Sequence, residues 1–267
     1  MSNPDDDLVL READTGGALL DSDGEVLREL EIEAVDEVVD HGATIQELAA
    51  GARAWRYGHV IVDEAQDLTP MQWRMVTRRT RGSSLTIVGD LAQRSIGEPG
   101  SWREHLPPAI AEFDYRELSV NYRSPASINR LAGSVLSELA PDLAPTEAIR
   151  DTATPPQARS VTSLGAELPA IVEEMRQTTD GTVAVIAADP ERAQSALAED
   201  SDAGVHWLSP WKAKGLEFDA VVLVEPAEML AMPRGLSLLY VALTRSTNRL
   251  VIVHAEPLPS CLARTGL

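Results

Sequence analysis

The sequence predicts an α/β fold in which parallel sheets are flanked by helices. Two short runs rich in β-branched residues, HVIVDE (59–64) and SLTIVGD (84–90), each end in acidic residues, and the helix-like segment PMQWRMVTRRT separates them. This order of strand, helix and strand is typical of a parallel sheet. Parallel strands end at one edge of their sheet, so we expect both acidic ends to lie along the same edge.

The chain begins with an acidic segment, residues 1–42, in which EVLRELEIEAVDEVV (25–39) has apolar residues at near-helical spacing. A second helix is predicted over TIQELAAGARAW (44–55), because TIQE has the spacing of a capping box. With the two acid-ending strands, residues 43–115 are predicted to form part of a first domain.

Residues 116–267 are predicted to form a complete second α/β domain, with the boundary near residue 115. Its candidate strands are 116–120, 158–163, 182–187, 205–208, 219–224 and 249–254. Its candidate helices are 125–139, 166–177, 190–198 and 235–246. The proline-rich interval 140–156 is expected to be a surface loop.

Length, charge and cysteine content exclude several classes of protein. The chain has 267 residues and 44% apolar content, which is enough for one large or two modest domains. Its net charge of -19 disfavours unaided binding of nucleic acid unless basic residues gather in one groove. The single Cys261 cannot form an internal disulfide, which fits a reducing compartment. With no long apolar segment and an acidic beginning, we expect a soluble cytoplasmic protein without a membrane partner.

The acidic residues after the first strand form a candidate magnesium site. Ligands of parallel sheets bind beyond the carboxyl ends of the strands, where Asp63 and Glu64 stand. Asp63 would hold Mg²⁺ directly or through water, and Glu64 would orient and deprotonate a water that attacks a γ-phosphate. A plainer alternative is that both are solvated loop carboxylates.

Five strings in the order VIVDEAQD, IVGDLAQ, NYRS, KGLEFD and YVALTR span residues 60–245. Together they resemble the UvrD/Rep-like superfamily 1 helicases. More narrowly, WRYGHVIVDEAQDLTPMQWRM, SLTIVGDLAQ and LSVNYRSPA resemble the HelD group of UvrD-like ATPases, which bind RNA polymerase and help release it from nucleic acid. The resemblance implies RecA-like sheets of the P-loop NTPase helicase type, with ATP and Mg²⁺ as cofactors and DNA as a partner. The first RecA-like domain would be incomplete and the second, of the UvrD-like C-terminal type, complete.

The resemblance also assigns roles to residues near the phosphates. Gln93 would sense the attacking water or the γ-phosphate, with Asp90 supporting the same loop. Arg123 and Arg245 would act with Glu64 in catalysis, as arginine fingers that offset charge on the γ-phosphate. Without the resemblance, each of these side chains would be read as a turn cap or a surface arginine.

Further residues would bind the nucleotide or transmit its state. The resemblance implies that Gln66 and Asp67 hold contacts between the domains. It places Glu217 near the ribose and the nucleic-acid backbone, and Gly215 where the backbone approaches closely. Lys214 is assigned to the same site, and its alternative is an exposed loop lysine.

The chain also departs from this family. Its only lysines, Lys212 and Lys214, lie outside any Gly-x-x-x-x-Gly-Lys-Ser/Thr loop, which would cradle nucleotide phosphates. Residues 1–58 are too few and too acidic to supply the missing part. The segment after IVGDLAQ has no aromatic residue before Trp102, which weakens the expectation of base stacking.

Three functional hypotheses follow from these matches and departures. The first is a partial UvrD/HelD-like ATP-dependent DNA helicase or translocase that is inactive alone. The second is a non-catalytic module that docks on RNA polymerase or on a partner subunit. The third is an ATPase completed by a separate upstream chain that supplies the missing loop.

Overall fold

A computed structural model describes residues 11–12, 19–20, 56–82, 84–97, 99–110, 112–151, 154–195 and 204–264. The chain divides into two compact units, Met1–Gly58 with Arg78–Gly82 and His59–Thr77 with Ser83–Leu267. The helices predicted over 25–39 and 44–55 lie outside the described residues.

In the smaller unit, two short strands, β1 (Arg11–Glu12) and β2 (Leu19–Leu20), pair in antiparallel orientation. Tyr57 forms an isolated parallel bridge with Thr80.

In the larger unit, the two segments that end in acidic residues, HVIVDE and SLTIVGD, form a two-stranded parallel sheet. Strands β3 (Val60–Val62) and β4 (Leu85–Ile87) pair in register, and helix α1 (Pro70–Arg79) connects them. The side chain of Trp73 is fully buried in a small core beneath this sheet. The predicted order of strand, helix and strand is therefore confirmed.

A five-stranded, entirely parallel sheet forms the centre of the larger unit. Its strands are β7 (Gln157–Ser160), β8 (Val183–Ala187), β9 (Val205–Leu208), β10 (Phe218–Val224) and β11 (Ser246–His254). They lie in the order β7-β11-β10-β8-β9. From Ala220 to Val224 the side chains of β10 alternate between two cores, one on each face, which explains the apolar run AVVLV.

Helices cover both faces of this sheet. In chain order they are α3 (Ala126–Leu139), α4 (Leu164–Gln177), α5 (Pro190–Gln194), α6 (Pro210–Ala213), α7 (Pro226–Leu230), α8 (Gly235–Leu243) and α9 (Ser260–Ala263). Helices α3 and α8 pack on one face and α4 on the other. Parallel sheets flanked by helices confirm the predicted α/β class. In the described part of the chain, no helix combines the length and apolar character needed to cross a bilayer.

The structure corrects several predicted boundaries. The interval 140–156 is not entirely loop, because β6 (Glu147–Ala148) pairs in parallel with β5 (Val120–Asn121). The helix predicted to reach residue 246 ends at Leu243, and β11 begins three residues later. The structure also contains a short helix that the sequence analysis does not predict, α2 (Trp102–His105), which begins with a capping box. The domain boundary near residue 115 stays a prediction.

The central strand β10 offers a test of this packing. Leu223 is fully buried between β8 and β11, so Leu223→Ala should lower the free energy of unfolding by about 2–5 kcal/mol. Urea denaturation would measure the change. The control Leu118→Ala removes a side chain that is 79% exposed and should change stability by less than about 0.5 kcal/mol. Equal losses in the two variants would contradict the assigned core.

Candidate active site

The two acidic residues that follow β3 stand at the carboxyl end of the strand. Glu64 adopts the left-handed conformation, with φ 50° and ψ 35°, and its N–H donates to Asp63 Oδ1 at 2.8 Å. This conformation is uncommon for a residue other than glycine and often marks a functional turn. Both side chains are exposed, as a metal ligand and a base would need to be.

Gln66 connects this acidic turn to the second acid-ending strand. Its side chain is buried, and its Nε2 donates to Glu64 Oε2 at 2.5 Å. At its other end, Gln66 Oε1 accepts the backbone N–H of Asp90 at 3.1 Å. A Cβ on Gly89 would lie 2.3 Å from Gln66 Oε1, so only glycine leaves room for this contact. The sequence analysis did not single out Gly89, although its position directly before Asp90 was the available signal.

The series of hydrogen bonds that begins at Glu64 continues through the turn after β4. Asp90 Oδ1 accepts the N–H of Ala92 at 2.9 Å, which caps the short 3₁₀ helix Leu91–Gln93. Asp90 Oδ2 accepts from Gln93 Nε2 at 2.9 Å, and Gln93 Oε1 accepts from Arg245 Nη2 at 3.2 Å. Side-chain and backbone hydrogen bonds therefore run from Glu64 to Arg245. We call this set the polar path; its residues are Glu64, Gln66, Asp90, Gln93 and Arg245.

Arg245 is only 2% exposed, and its guanidinium makes three further hydrogen bonds within the chain. Nε donates to Val241 O at 3.1 Å, Nη1 to Leu216 O at 3.0 Å, and Nη2 to Thr244 Oγ1 at 3.1 Å. Burial, followed by the positive charge of Arg123, lowers the pKa of Arg245. The two guanidinium groups are thus near enough to repel one another, and an anion between them would relieve that repulsion.

Arg123 lies in a turn that is built by the asparagine of the NYRS string. Asn121 Oδ1 accepts the backbone N–H groups of Arg123 at 2.9 Å and Ser124 at 3.1 Å. Arg123 Nε forms an ion pair of 2.8 Å with Glu217 Oε2, and these side chains are 49% and 56% exposed. Because solvent screens so exposed a pair, it holds Arg123 only weakly.

Lys214 is not the exposed loop lysine that the plainer alternative expected. Its side chain is 13% exposed, and its ammonium contacts Asp67 Oδ2 and Gln93 O. Ser95 joins them: its Oγ lies 3.3 Å from Lys214 Nζ, and its N–H donates to Asp67 Oδ1 at 2.8 Å. Lys214 therefore ties the DEAQD and GDLAQ segments to KGLEFD. Gly215 has a φ of +77° and no atom within 4 Å of the position of a Cβ, so the backbone turn accounts for the glycine.

Helix α8 contributes two residues that the sequence analysis missed. Ser237 Oγ contacts the carbonyl oxygen of Ala92, and the Tyr240 hydroxyl bonds to the Asp90 carboxylate. Burial, together with the charge of Asp90 and this bond, raises the pKa of Tyr240 well above its ordinary value of 10.0. Polar side chains three residues apart in an otherwise apolar helix were the available signal.

The donor set fits a magnesium-bound phosphate group. Among the described residues, no group of three or more His, Cys, Asp or Glu side chains could hold a metal ion. Magnesium in phosphate sites needs only one or two protein carboxylates, since phosphate oxygens and waters complete its shell. Asp63 would supply one carboxylate, while Arg123 and Arg245 form a positive region suited to phosphate.

The contact between Lys214 and Asp67 can be tested by a double-mutant cycle. Lys214→Met leaves a partly buried carboxylate without its cation and should destabilise the protein by about 1–3 kcal/mol. Asp67→Asn in the same background should add little, because the interaction is already lost. The exposed pair Arg176–Glu173 is the matched control and should show no measurable coupling. Additive effects of the Lys214 and Asp67 substitutions would rule out the contact.

The raised pKa of Tyr240 predicts a stability change at alkaline pH. The folded protein holds this proton more tightly than the unfolded chain, so stability should fall as the pH rises above 10.0, the ordinary value. Urea denaturation between pH 8 and pH 11 should show this fall relative to Tyr240→Phe, which lacks the titrating hydroxyl. Tyr122→Phe, at an exposed tyrosine, should instead follow the original protein. If the free energy of unfolding depended on pH in the same way in the original protein and in Tyr240→Phe, the Tyr240 hydroxyl would not be bonded to Asp90 as described.

Two protein-family models match the chain in the order of its motifs. Residues 30–97 match the UvrD/REP helicase N-terminal domain, and residues 205–253 match the UvrD-like helicase C-terminal domain. The first match contains VIVDEAQD and IVGDLAQ, and the second contains KGLEFD and YVALTR.

Known proteins show similarity over parts of the chain. RecBCD enzyme subunit RecB, from two strains of Mycobacterium tuberculosis, is 37% identical over 86 residues, which cover 32% of this chain and 8% of RecB. The C-terminal domain of a possible DNA helicase from Lactobacillus plantarum WCFS1 has 22% identity and a TM-score of 0.42, covering 54% of this chain and 94% of that chain. Arterivirus nonstructural protein 10, a helicase in complex with DNA, has 16% identity and a TM-score of 0.43, covering 80% of this chain and 44% of that chain. The two family models and the RecB match show that parts of this chain are similar to UvrD/Rep-like helicase proteins. The chain spans less than a tenth of the length of RecB.

Proposed function

We propose that this chain is part of a UvrD-like ATP-dependent DNA helicase or translocase, and that it carries the hydrolysis and arginine-finger groups of the motor. The polar path from Glu64 to Arg245 is the observation that carries this proposal. It joins a candidate base, a candidate γ-phosphate sensor and a candidate arginine finger by hydrogen bonds. The two family matches support the same reading.

Each residue of the candidate active site has a distinct part in this proposed function. Asp63 would hold Mg²⁺, which neutralises charge on the phosphates when it is bound. Glu64 would orient the attacking water and accept its proton, and Gln66 fixes the Glu64 carboxylate. Arg123 and Arg245 would offset charge on the transferred phosphoryl group. Glu217, which pairs with Arg123, would exchange that partner for the ribose.

The sequence contains no phosphate-binding loop, so nucleotide affinity of this chain alone should be low. The third hypothesis, completion by an upstream chain with such a loop, then describes how the motor would become active. The resemblance of three sequence strings to the HelD group is the basis for adding RNA polymerase as a proposed partner. The proposed cytoplasmic location rests on the single cysteine and the acidic beginning of the sequence.

Turnover of Mg-ATP in the presence of single-stranded DNA tests the main proposal. The isolated chain should show no turnover, and a co-expressed UvrD-like segment that carries the Gly-x-x-x-x-Gly-Lys-Thr loop should restore it. In that complex, Arg245→Gln should reduce turnover by about 10³-fold or more. Glu64→Gln should remove turnover but keep Mg-ATP binding, because its role lies in the chemical step.

The exposed Arg264→Gln substitution is a matched control for Arg245→Gln and should leave turnover in the complex unchanged. Turnover by the isolated chain would contradict the partial-motor reading. Full activity of the complex with Glu64→Gln would remove the proposed base.

A second candidate is a non-catalytic module that docks on RNA polymerase or on a partner subunit. It is favoured by the cations of the site, since Arg123, Lys214 and Arg245 all contact groups of the chain itself. Co-purification with RNA polymerase that persists in Glu64→Gln and Arg245→Gln, without restored turnover, would favour this candidate.

A further inference from the structure

A cavity of about 320 Å³ opens at the carboxyl edge of the five-stranded sheet. Ala187 and Val224, the last residues of β8 and β10, line it. They are register partners, and each is 3% exposed, so the cavity rests directly on the two strands. This volume is within the range of small-molecule sites.

The strand order places this cavity where successive chain connections change direction across the sheet. From β8 the chain continues through α5 to β9, whereas from β10 it continues through α7 and α8 to β11. Strands β9 and β11 lie on opposite sides of the β8–β10 pair. The crevice between β8 and β10 is therefore a topological switch point, which is where open α/β sheets bind ligands.

The cavity is separate from the candidate active site. Lys214 and Glu217 precede the first residue of β10, and Arg245 precedes the first residue of β11. These residues therefore stand at the amino edge of the sheet, and the cavity is at its opposite end. None of the cavity's lining residues belongs to the polar path.

The first turn of α4 lines one side of the cavity and leaves open space there. Gly165 and Leu168 line the cavity from this helix. A Cβ on Gly165 would meet no atom within 4 Å, so the glycine is not required by packing. The position therefore leaves open space beside the first turn of the helix.

Charged residues lie at the cavity's polar side. Arg192 and Glu228 form an ion pair there, and Asp189 Oδ1 accepts the backbone N–H of Arg192 at 3.0 Å. Two carboxylates against one guanidinium give this side a net negative charge, within a chain of net charge -19. Apolar walls with such a rim match a ligand of mixed character. We infer that this cavity binds a small molecule that has an apolar body and one positively charged group.

Amide chemical shifts of the full chain, titrated with 2-phenylethylammonium and with phenylacetate, test this inference. The ammonium probe should shift the amides of Gly165, Ala187 and Val224. Phenylacetate, with a similar body and the opposite charge, should bind about two- to fivefold more weakly, as one partly screened charge contact implies. Equal affinity for the two probes, or shifts confined to other regions, would overturn the inference.

Two substitutions test separately whether probe binding depends on the open space at Gly165 and on the charge of Glu228. Gly165→Leu fills open space and should abolish binding of both probes without lowering the unfolding midpoint. The control Gly58→Leu, at an exposed glycine that also has open surroundings, should not affect binding. Glu228→Gln should reduce the preference for the ammonium probe while phenylacetate binds at least as well. Unchanged ammonium affinity in both Gly165→Leu and Glu228→Gln would refute the site.

Discussion

The buried amide of Gln66 is the contact on which the candidate active site depends. It uses its Nε2 for Glu64 and its Oε1 for the backbone of Asp90, so it fixes the distance between the ends of β3 and β4. A buried amide that lost either partner would carry an unsatisfied polar group, at a cost of about 1–3 kcal/mol. Gly89 must therefore lack a side chain, and Asp90 must present its carboxylate to Gln93. A connected network of buried hydrogen bonds such as this one makes the site more rigid.

Electrostatics give the same region its chemical character. The chain has a net charge of -19, yet Lys214 and Arg245 contact the DEAQD and GDLAQ segments, and Arg123 is near enough to lower the pKa of Arg245. Each cation already has partners in the chain, and Arg245 uses four N–H groups on them. A phosphate ligand must exchange some of these contacts and gains only the difference in free energy. Low nucleotide affinity of the isolated chain is the expected result.

The sequence was sufficient for the elements that carry strong local signals. Apolar runs such as VAVIA in β8, together with the acidic ends of β3 and β4, predicted the parallel sheets, because strand positions that are buried on both faces of a sheet are apolar. The five strings likewise pointed to the residues that the polar path brings together. Short elements such as β6 and α2 were missed, since two to four residues have no readable period.

Contacts between distant residues were beyond the sequence signals. The burial of Lys214 depends on Asp67, which lies 147 residues earlier, and no local pattern reports that distance. Tyr240 and Ser237 fall within the helix predicted over 235–246, and only the position of the GDLAQ turn beside α8 gives them polar partners. Gly215 has a positive φ that favours glycine, and the close approach expected at this position stays a prediction.

The geometry of a parallel sheet also limits how binding at one edge can affect residues at the other edge. Strand β10 has seven residues, so the arginine-bearing amino edge and the carboxyl-edge cavity are separated by roughly 20 Å. The described residues between them form apolar cores on both faces of the sheet. Such a core moves as a body and does not deform continuously. A ligand in the cavity would therefore influence the arginine groups only if its binding favoured a different placement of the whole sheet.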